Sequence, residues 1–281
     1  MQYKYVMVLA LLGMLLTACS QELTPEALQS KLVLANSDVN SYTVDLAIST
    51  HVQGQAYEQP LDAAMSTISK GKVDRQAKKI FMDSALSSDM TGMKVDLQSQ
   101  LYVIDNTLYQ QILDVWVKTA LPQEVWQQQD HMYDIISMIN SGSIERLPDE
   151  ILNDEEYYVV TINPDIKKVV ELALREQEQL DLLNGSLNFS DIVQSYAAKI
   201  WINKRTFIIE KSTTNIRLIF TPENMGKGEG SLVMDMRIDM SIANVNQPLI
   251  ITLPEEAGNA VLLEKKSSNV VTGNVIKSLF M

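Results

Sequence analysis

The segment Leu232-Val233-Met234-Asp235-Met236-Arg237-Ile238-Asp239-Met240-Ser241-Ile242-Ala243 alternates between two kinds of side chain along its whole length. Leu232, Met234, Met236, Ile238, Met240 and Ile242 fall on one face of an extended chain, and Val233, Asp235, Arg237, Asp239, Ser241 and Ala243 fall on the other. Because successive side chains of a β-strand point to opposite faces, this period of two predicts one long strand with one buried face.

The apolar face of this strand has two interpretations. Three of its six side chains are methionines, which are flexible and repack readily around varied apolar partners. The face is therefore a candidate pocket for an acyl chain or a similar ligand, to which Met65, Met82, Met90 and Met93 from earlier segments contribute. The alternative is an ordinary core beneath helices, since buried apolar stripes are far commoner than cavities.

Strand patterns occupy most of the remaining chain. From Ser41, the apolar residues Tyr42, Val44, Leu46 and Ile48 alternate with others, which indicates a half-buried strand. Further β-type runs lie at 63–69, 78–83, 94–104 and 107–118, with turns at 70–72, 91–92 and 105–106. Later strands are predicted at 156–162, at about 198–211 with a tight turn inside it, and at 212–221, 231–243 and 249–253. The early connections are too short for crossover helices, so these strands form an antiparallel meander.

Helical signals occur in three places. Thr24 is a candidate N-cap for a first helix, because a proline follows it at the first helical position. A second helix is predicted over 122–142, with Trp126 and Ile136 at helical spacing, and a third over 164–180. The order of strands, helices and strands predicts one α+β domain, in which helices cover one face of a long curved antiparallel sheet.

The first eighteen residues have the pattern of a secretory signal. Lys4 is their only charge, and an apolar run extends from Val6 to Leu16. A permanent membrane span needs about 20 helical residues, so this shorter run indicates a segment that is removed. It ends in Leu16-Thr17-Ala18-Cys19, which resembles the lipobox of bacterial lipoproteins, where the cysteine becomes diacylated. The alternative is an ordinary signal-peptidase site after Ala18.

The N-terminal segment and Cys19 predict where the protein is located. Cys19 is the only cysteine, so its lipidation excludes a structural disulfide. Two acyl chains give a durable anchor where one gives marginal binding. We therefore predict a protein on the extracytoplasmic face of a bacterial membrane. This is the cell membrane in a host with one membrane and the outer membrane in a host with two. For the second case, Ser20 does not resemble the Asp that favours retention at the inner membrane. The predicted parts are a signal peptide at 1–18, a lipidated tether at 19–23, a folded domain at 24–257 and a tail at 258–281.

The charge balance argues against nucleic-acid binding. Without residues 1–18, the chain has 22 basic and 35 acidic side chains, a net charge of −13. A polyanion needs clustered Lys and Arg, whereas the basic residues here are scattered, with isolated doublets as their densest points. The acidic excess also favours a domain that stands off anionic lipid headgroups.

Recognisable catalytic and metal-binding patterns do not occur in the sequence. The two histidines, His51 and His131, lack metal-ligand spacing, and there is no Gly-x-Ser-x-Gly elbow. Gly226-Lys227-Gly228-Glu229-Gly230 lacks the spacing of a phosphate-binding loop and indicates a hairpin turn. Carboxylate clusters at 149–150 and 154–156 are predicted to lie in solvated loops. We therefore predict a protein that is not an enzyme and that has no cofactor or metal.

A strand, turn and strand pattern lies at Ala198–Lys211, with a tryptophan in its first strand and a threonine closing its polar turn. This stretch resembles the signature of the LolA-like lipoprotein carriers and the LppX/LprG-type lipoproteins. Residues 28–42, 114–118 and 250–257 resemble, in the same order, that superfamily's opening, its mid-sheet tryptophan strand and its closing strand. The resemblance implies a half-barrel with helices over its concave face and a hydrophobic cavity that holds lipid. The loop residues with which carriers hand cargo to a partner are not matched.

These observations predict a membrane-anchored lipoprotein that binds a hydrophobic, lipid-like ligand in a half-barrel cavity, and the resemblance adds the role of lipid carrier. The predicted ligand-binding residues are Leu232, Met234, Met236, Ile238, Met240, Ile242, Trp126 and Ile136. The alternative is a structural or sensory envelope module with a packed core, which binds a protein or cell-wall partner. A hydrolase of envelope polymers would need paired carboxylates or a Ser–His pair, which the sequence does not display.

Overall fold

A single sheet dominates the computed structural model, which describes residues 23–56, 59–90, 92–121, 131–164, 191–225 and 230–263. In the described part of the chain, this sheet has twelve strands. They are β1 Ser41–Ala56, β2 Gln59–Asp74, β3 Lys79–Met90, β4 Met93–Ile104, β5 Thr107–Ile112, β6 Val115–Ala120, β7 Ser143–Leu152, β8 Glu155–Asn163, β9 Val193–Asn203, β10 Ile209–Phe220, β11 Leu232–Ala243 and β12 Val261–Leu262.

The sheet is large, curved and open. Its strand order is β12-β6-β5-β4-β3-β2-β1-β11-β10-β9-β8-β7, which leaves β12 and β7 at the edges. Strands β1 to β11 pair antiparallel, and β12 pairs in parallel with β6. The pairing of β1 with β11 joins the meander of β1 to β6 to the later strands. The predicted long antiparallel sheet is therefore confirmed.

The strand register separates two faces of the sheet. Leu46 lies opposite Met240, and Ile48 lies opposite Ile238. Directly paired residues share a face, so the even-numbered residues of β1, β3, β10 and β11 lie together with the odd-numbered residues of β2 and β4. We call this side the apolar face and the opposite side the polar face.

Helices pack against one end of the apolar face. These helices are α1 Pro25–Ser37 and α2 His131–Ser141, and the short elements α3 Pro222–Met225 and the 3₁₀ helix Glu255–Asn259 lie elsewhere in the chain. Ile136 of α2 belongs to a buried cluster with Tyr42, Val44, Met240 and Ile242. Leu28 and Leu32 of α1 join a second cluster with the inner residues of β8, β9 and β10. These two clusters form the packed core.

A buried asparagine fixes α1 to the sheet. The helix begins as predicted, with Thr24 Oγ1 accepting from the Ala27 amide at 3.3 Å. At its other end, Asn36 Nδ2 donates to the carbonyl of Phe207 at 2.9 Å, and Asn36 Oδ1 accepts from the amide of Ile209 at 3.0 Å. The last turn of α1 is thereby joined to the loop between β9 and β10.

Several predicted boundaries were wrong. Residues 70–72, predicted as a turn, lie inside β2, and 107–118 divides into β5 and β6 at Leu113 and Asp114, which both have positive φ. The short strand predicted at 249–253 is absent from that described stretch, and the closing strand is β12. Strand β10 begins at Ile209, within the predicted 198–211 unit. The predicted helical residues 122–130 and 165–180 lie outside the described residues.

Candidate ligand-binding face

The apolar face continues well past the packed core. Beyond Met240, the β11 residues Ile238, Met236, Met234 and Leu232 are only half-buried. They lie beside β1 and β10 in continuous rows, each row formed by directly opposed residues. A sheet face that stays apolar without becoming fully buried is a surface on which a ligand can replace missing core packing.

The predicted ligand-binding residues divide between core and open face. Met240 and Ile242 are each 4% exposed and pack with Ile136 in the first core cluster. The half-buried β11 residues Leu232, Met234, Met236 and Ile238 occupy the part of the apolar face beyond this cluster. Trp126 lies outside the described residues. The register thus places the candidate site at the half of β11 that is remote from the core.

Earlier methionines extend the same face, as their positions predicted. Met65 lies in one row with Thr50 and Met236, and Met90 pairs with Met93 across the β3–β4 hairpin. Met82 is closer to the core cluster and packs against it. Met93 is 71% exposed, so the apolar face reaches the rim of the sheet.

Hydroxyl groups also lie on the apolar face, and sequence reasoning missed them. Ser69 and Ser84 are directly opposed, and their oxygens are 2.8 Å apart. Thr67 and Thr214 lie in the next row, on either side of Ile48 and Ile238. In the sequence, only their position indicated this face, because each lies an even number of residues from the apolar residues of its own strand.

An open groove of about 710 Å³ crosses the middle of the sheet, and most of its lining residues belong to the polar face. Thr50, Met65, Ile216 and Met236, whose positions in the register are on the apolar face, line it as well. The side chains at its margin include Ser49, His51, Ser66, Arg217, Asp235 and Arg237. His51 Nε2 lies 2.8 Å from Asp62 Oδ1, and Arg237 Nε lies 2.7 Å from Asp239 Oδ2. The hydrogen bond from Arg237 is the main cause that lowers the pKa of Asp239. This groove therefore combines ion pairs and small hydroxyl side chains with apolar lining residues such as Ala64 and Met65.

A second polar cluster joins β7, β8, β9 and β10. Glu150 accepts from Lys199 Nζ at 2.7 Å and from Trp201 Nε1 at 2.8 Å. The amide of Asn203 reaches the carboxylates of both Glu155 and Glu210. The prediction that 149–150 and 154–156 lie in loops was therefore wrong for Asp149 and Glu150, which are in β7, and for Glu155 and Glu156, which are in β8.

This cluster stabilises the sheet through paired charges. Tyr157 donates to Glu210 at 2.5 Å, and burial, together with this carboxylate, raises the pKa of the Tyr157 phenol. Lys204 pairs with Asp149 and Glu156, each at 2.8 Å. Each strand of this half of the sheet is thus tied to a neighbour by side chains as well as by its backbone ladder.

Within the described ranges, no group of three or more His, Cys, Asp or Glu side chains is arranged to hold a metal ion. No helix among those same residues is long and apolar enough to cross a membrane.

The fold and its apolar face define a class of open-sheet α+β proteins. The sequence in turn places the chain in a protein family. Residues 24–261 match the family described as Family of unknown function (DUF6612), and the chain belongs to that family. None of the curated proteins matches the chain in sequence.

Solved structures similar to this chain include the lipoprotein LppX of Mycobacterium tuberculosis, with a TM-score of 0.43, 11% identity and coverage of 82% of this chain and 100% of that one. LprF of Mycobacterium bovis has a TM-score of 0.43 and 12% identity, with coverage of 82% and 98%. A putative outer membrane lipoprotein-sorting protein domain of Vibrio parahaemolyticus has a TM-score of 0.20 and 11% identity, with coverage of 82% and 94%.

Proposed function

We propose that this chain is a lipid-anchored, extracytoplasmic protein whose apolar sheet face binds a hydrophobic, lipid-like ligand. The observation that carries the proposal is the half-buried apolar surface beyond the core, formed on β11 by Ile238, Met236, Met234 and Leu232. Strand β10 on one side of β11 and strands β1 to β4 on the other continue this surface in register. Binding is the whole of the proposed activity, and no catalytic step is part of it.

The driving force would be removal of apolar area from water. Burial contributes about 25 cal/mol per Å², so each added methylene of a ligand should tighten binding until the surface is filled. Methionine side chains at Met65, Met234 and Met236 suit such a ligand because they adapt to chains of different shape. Affinity should therefore rise with acyl chain length and then level off.

The helical segments predicted at 122–142 and 164–180 complete the proposed site. We infer that they cover the concave side of the sheet, with Trp126 facing the ligand and Ile136 packed at its inner end. The burial of Ile136 against Met240 and Ile242 supports this arrangement for α2. Carriage of the ligand to a second site would be a further step of the same function.

The anchor is proposed to be a diacylglyceryl group on Cys19, which would hold the domain at the membrane surface. Replacing Cys19 by Ser should move the protein from the detergent phase to the aqueous phase in detergent partition. The wild-type chain should label with radioactive fatty acid and the variant should not. Equal partition and equal labelling of the two chains would contradict the anchor and leave the ligand site untouched.

Ligand binding is tested by placing a bulky side chain in the proposed site. Met236→Trp adds bulk to the apolar face, and Val233→Trp adds the same bulk to the polar face of the same strand. We expect Met236→Trp to weaken binding of a long-chain fatty acid about tenfold or more, while Val233→Trp leaves it within about twofold. Thermal unfolding of both variants shows whether each is folded. Equal affinity in all three proteins would contradict the proposed site.

A second candidate function uses the groove of about 710 Å³ that lies mostly on the polar face. Its hydroxyls and its ion pairs at Arg217 and Arg237 favour a polar partner, such as an envelope protein or a cell-wall component. Under this alternative the apolar face would be a filled core that accepts no ligand. Measuring the affinity for fatty acids of increasing chain length separates the two functions, because a filled core would bind none of them.

A further inference from the structure

We propose that Met65, Met90 and Met93 form a binding site for a soft metal ion, Cu(I), at the rim of the apolar face. Such a site is separate from the proposed function, because it binds a metal through sulfur and requires no apolar ligand. The prediction of no metal depended on histidine, cysteine and carboxylate patterns, and these patterns do not include methionine. Thioether sulfur is a soft ligand that selects Cu(I) over harder ions.

Methionines are concentrated in one part of the sheet. The described strands contain seven of them, and all seven belong to the apolar face: Met65, Met82, Met90, Met93, Met234, Met236 and Met240. Five of the seven occupy two adjacent rows on the half of the face remote from the core. One row contains Met236 and Met65, and the next contains Met234, Met90 and Met93. On β10, β11 and β1 to β4, these two rows contain no charged side chain, so they lack the carboxylates that bind hard cations.

The β3–β4 hairpin brings two of these thioethers together. Met90 ends β3, Met93 begins β4, and the two residues are directly opposed. The Cβ atoms of such a pair lie about 4.5–5.5 Å apart, which allows two flexible methionine side chains to reach one ion. The turn between the strands is held by a hydrogen bond, in which the Gly92 amide donates to Asp89 Oδ1 at 3.2 Å. The hairpin thus positions two sulfur ligands side by side.

Met65 is the third thioether of the proposed site. It lies on β2 directly opposite Ser88, and it is therefore diagonal to Met90 on the same face. Diagonal neighbours are about 7–8 Å apart, a separation that long side chains can bridge. The residues that lie opposite these two methionines, Ala63 and Ser88, are short and are each 5% exposed. The surface between Met65 and Met90 is therefore shielded from water, which favours a soft ion over a hydrated hard cation.

The site is accessible and has no competing thiol. Met93 is 71% exposed, so an ion from solvent can reach its sulfur directly. Cys19 is the only cysteine of the chain, and its proposed acylation removes the thiol. An ion that binds first to Met93 would then be enclosed by the less exposed Met90 and Met65.

The test measures Cu(I) affinity by competition with the chromophoric chelator bicinchoninate, without oxygen and with ascorbate as reductant. The protein is the mature chain carrying Cys19→Ser, which has no thiol. The site variant adds Met90→Leu and Met93→Leu, which remove two sulfurs and keep apolar side chains of similar volume. The control adds Met82→Leu and Met240→Leu, two methionines of the same face that pack in the first core cluster. Thermal unfolding checks each fold, and Met93→Leu alone replaces the site variant if the latter is unstable.

We expect the parent chain and the control to bind one equivalent of Cu(I), and the site variant to bind it about tenfold or more weakly. X-ray absorption at the copper edge should show sulfur neighbours. No binding by the parent chain, equal affinity in all three proteins, or copper held by nitrogen and oxygen alone would overturn the inference. Fatty-acid affinity of the same proteins tests the proposed function separately, because leucine keeps the face apolar.

Discussion

At the scale of single residues, Asn36 connects the first helix to the sheet. It is fully buried, and its amide nitrogen donates to Leu32 O at 2.7 Å and to Phe207 O at 2.9 Å while its oxygen accepts from Ile209 N. Both ends of one side chain are thus bound to backbone on α1 and on the loop before β10. An asparagine in a helical pattern gave no indication of this role, because its partners lie about 170 residues away.

Replacing Asn36 by Ala should lower the free energy of unfolding by about 2–4 kcal/mol, because a buried amide and carbonyl lose their partners. Denaturation by urea, followed by circular dichroism, measures the change. Ser30→Ala is the control, since Ser30 is an exposed residue of the same helix that bonds only to Glu26 O. A loss below about 1 kcal/mol for Asn36→Ala would show that the helix is not held in this way.

Glu150 is expected to give the fold a pH dependence. The hydrogen bond from Lys199 is the main cause that lowers the pKa of Glu150 from its ordinary 4.5. A lowered pKa in the folded state means that the carboxylate stabilises the fold above about pH 4.5 and that this contribution is lost as the pH falls through the lowered value. The Glu150 and Lys199 side chains are 37% and 35% exposed, so solvent keeps the contribution small, below about 1 kcal/mol.

Glu150→Gln should therefore be less stable than the wild-type chain at pH 7, and the difference should shrink as the pH falls below about 4.5. Urea midpoints at a series of pH values measure this. Glu256→Gln, at an exposed position of the 3₁₀ helix, provides the comparison and should follow the wild-type curve. A stability difference that is constant from pH 7 to pH 3 would be inconsistent with a contribution from the Glu150 charge.

At the scale of secondary structure, Gly71 allows β2 to pass close to its neighbours. A Cβ at this position would lie 2.2 Å from Met82 Sδ and 2.8 Å from Val44 Cγ1. Gly71→Ala should thus overpack the face and destabilise the protein by about 1–3 kcal/mol. Gly258→Ala is the control, since a Cβ there meets nothing within 4 Å. Thermal unfolding of the two variants checks this, and equal midpoints would contradict the close packing.

The same glycine explains one error of sequence interpretation. Lys70-Gly71-Lys72 has the composition of a turn, yet burial of the small residue and solvation of the lysines keep it within β2. Strand β7 was missed because Pro148 and its acidic neighbours are typical of a loop. Pro148 is tolerated there because β7 is an edge strand with a bulge between Leu147 and Glu150.

Other elements could be predicted because their signal is local. The β11 alternation specifies both its extent and its two faces, and Asp105 and Asn106 adopt the positive φ values of the predicted tight turn. The hydroxyl side chains on the apolar face could not be predicted in the same way, since their common face becomes evident only when the strands are placed in register. Pairing between distant strands, such as β1 with β11, is not encoded in any short segment.

At the scale of the whole molecule, the sheet has two chemically distinct sides. The apolar face is packed under α1 and α2 at one end and half-buried at the other, while the polar face carries ion pairs and most of an open groove. This asymmetry favours the proposal that the half-buried end accommodates a lipid. A folded protein would otherwise gain stability by filling that surface with its own side chains.

Native mass spectrometry, combined with organic extraction, shows whether a lipid is bound. The sample is the mature chain carrying Cys19→Ser, purified without detergent from a bacterial host. We expect a lipid to co-purify in stoichiometric amount, to add its mass to the folded protein and to be released on unfolding. A clean mass of the chain alone, together with refusal of added long-chain lipids, would contradict the lipid-binding site and favour a packed module that acts through its polar face.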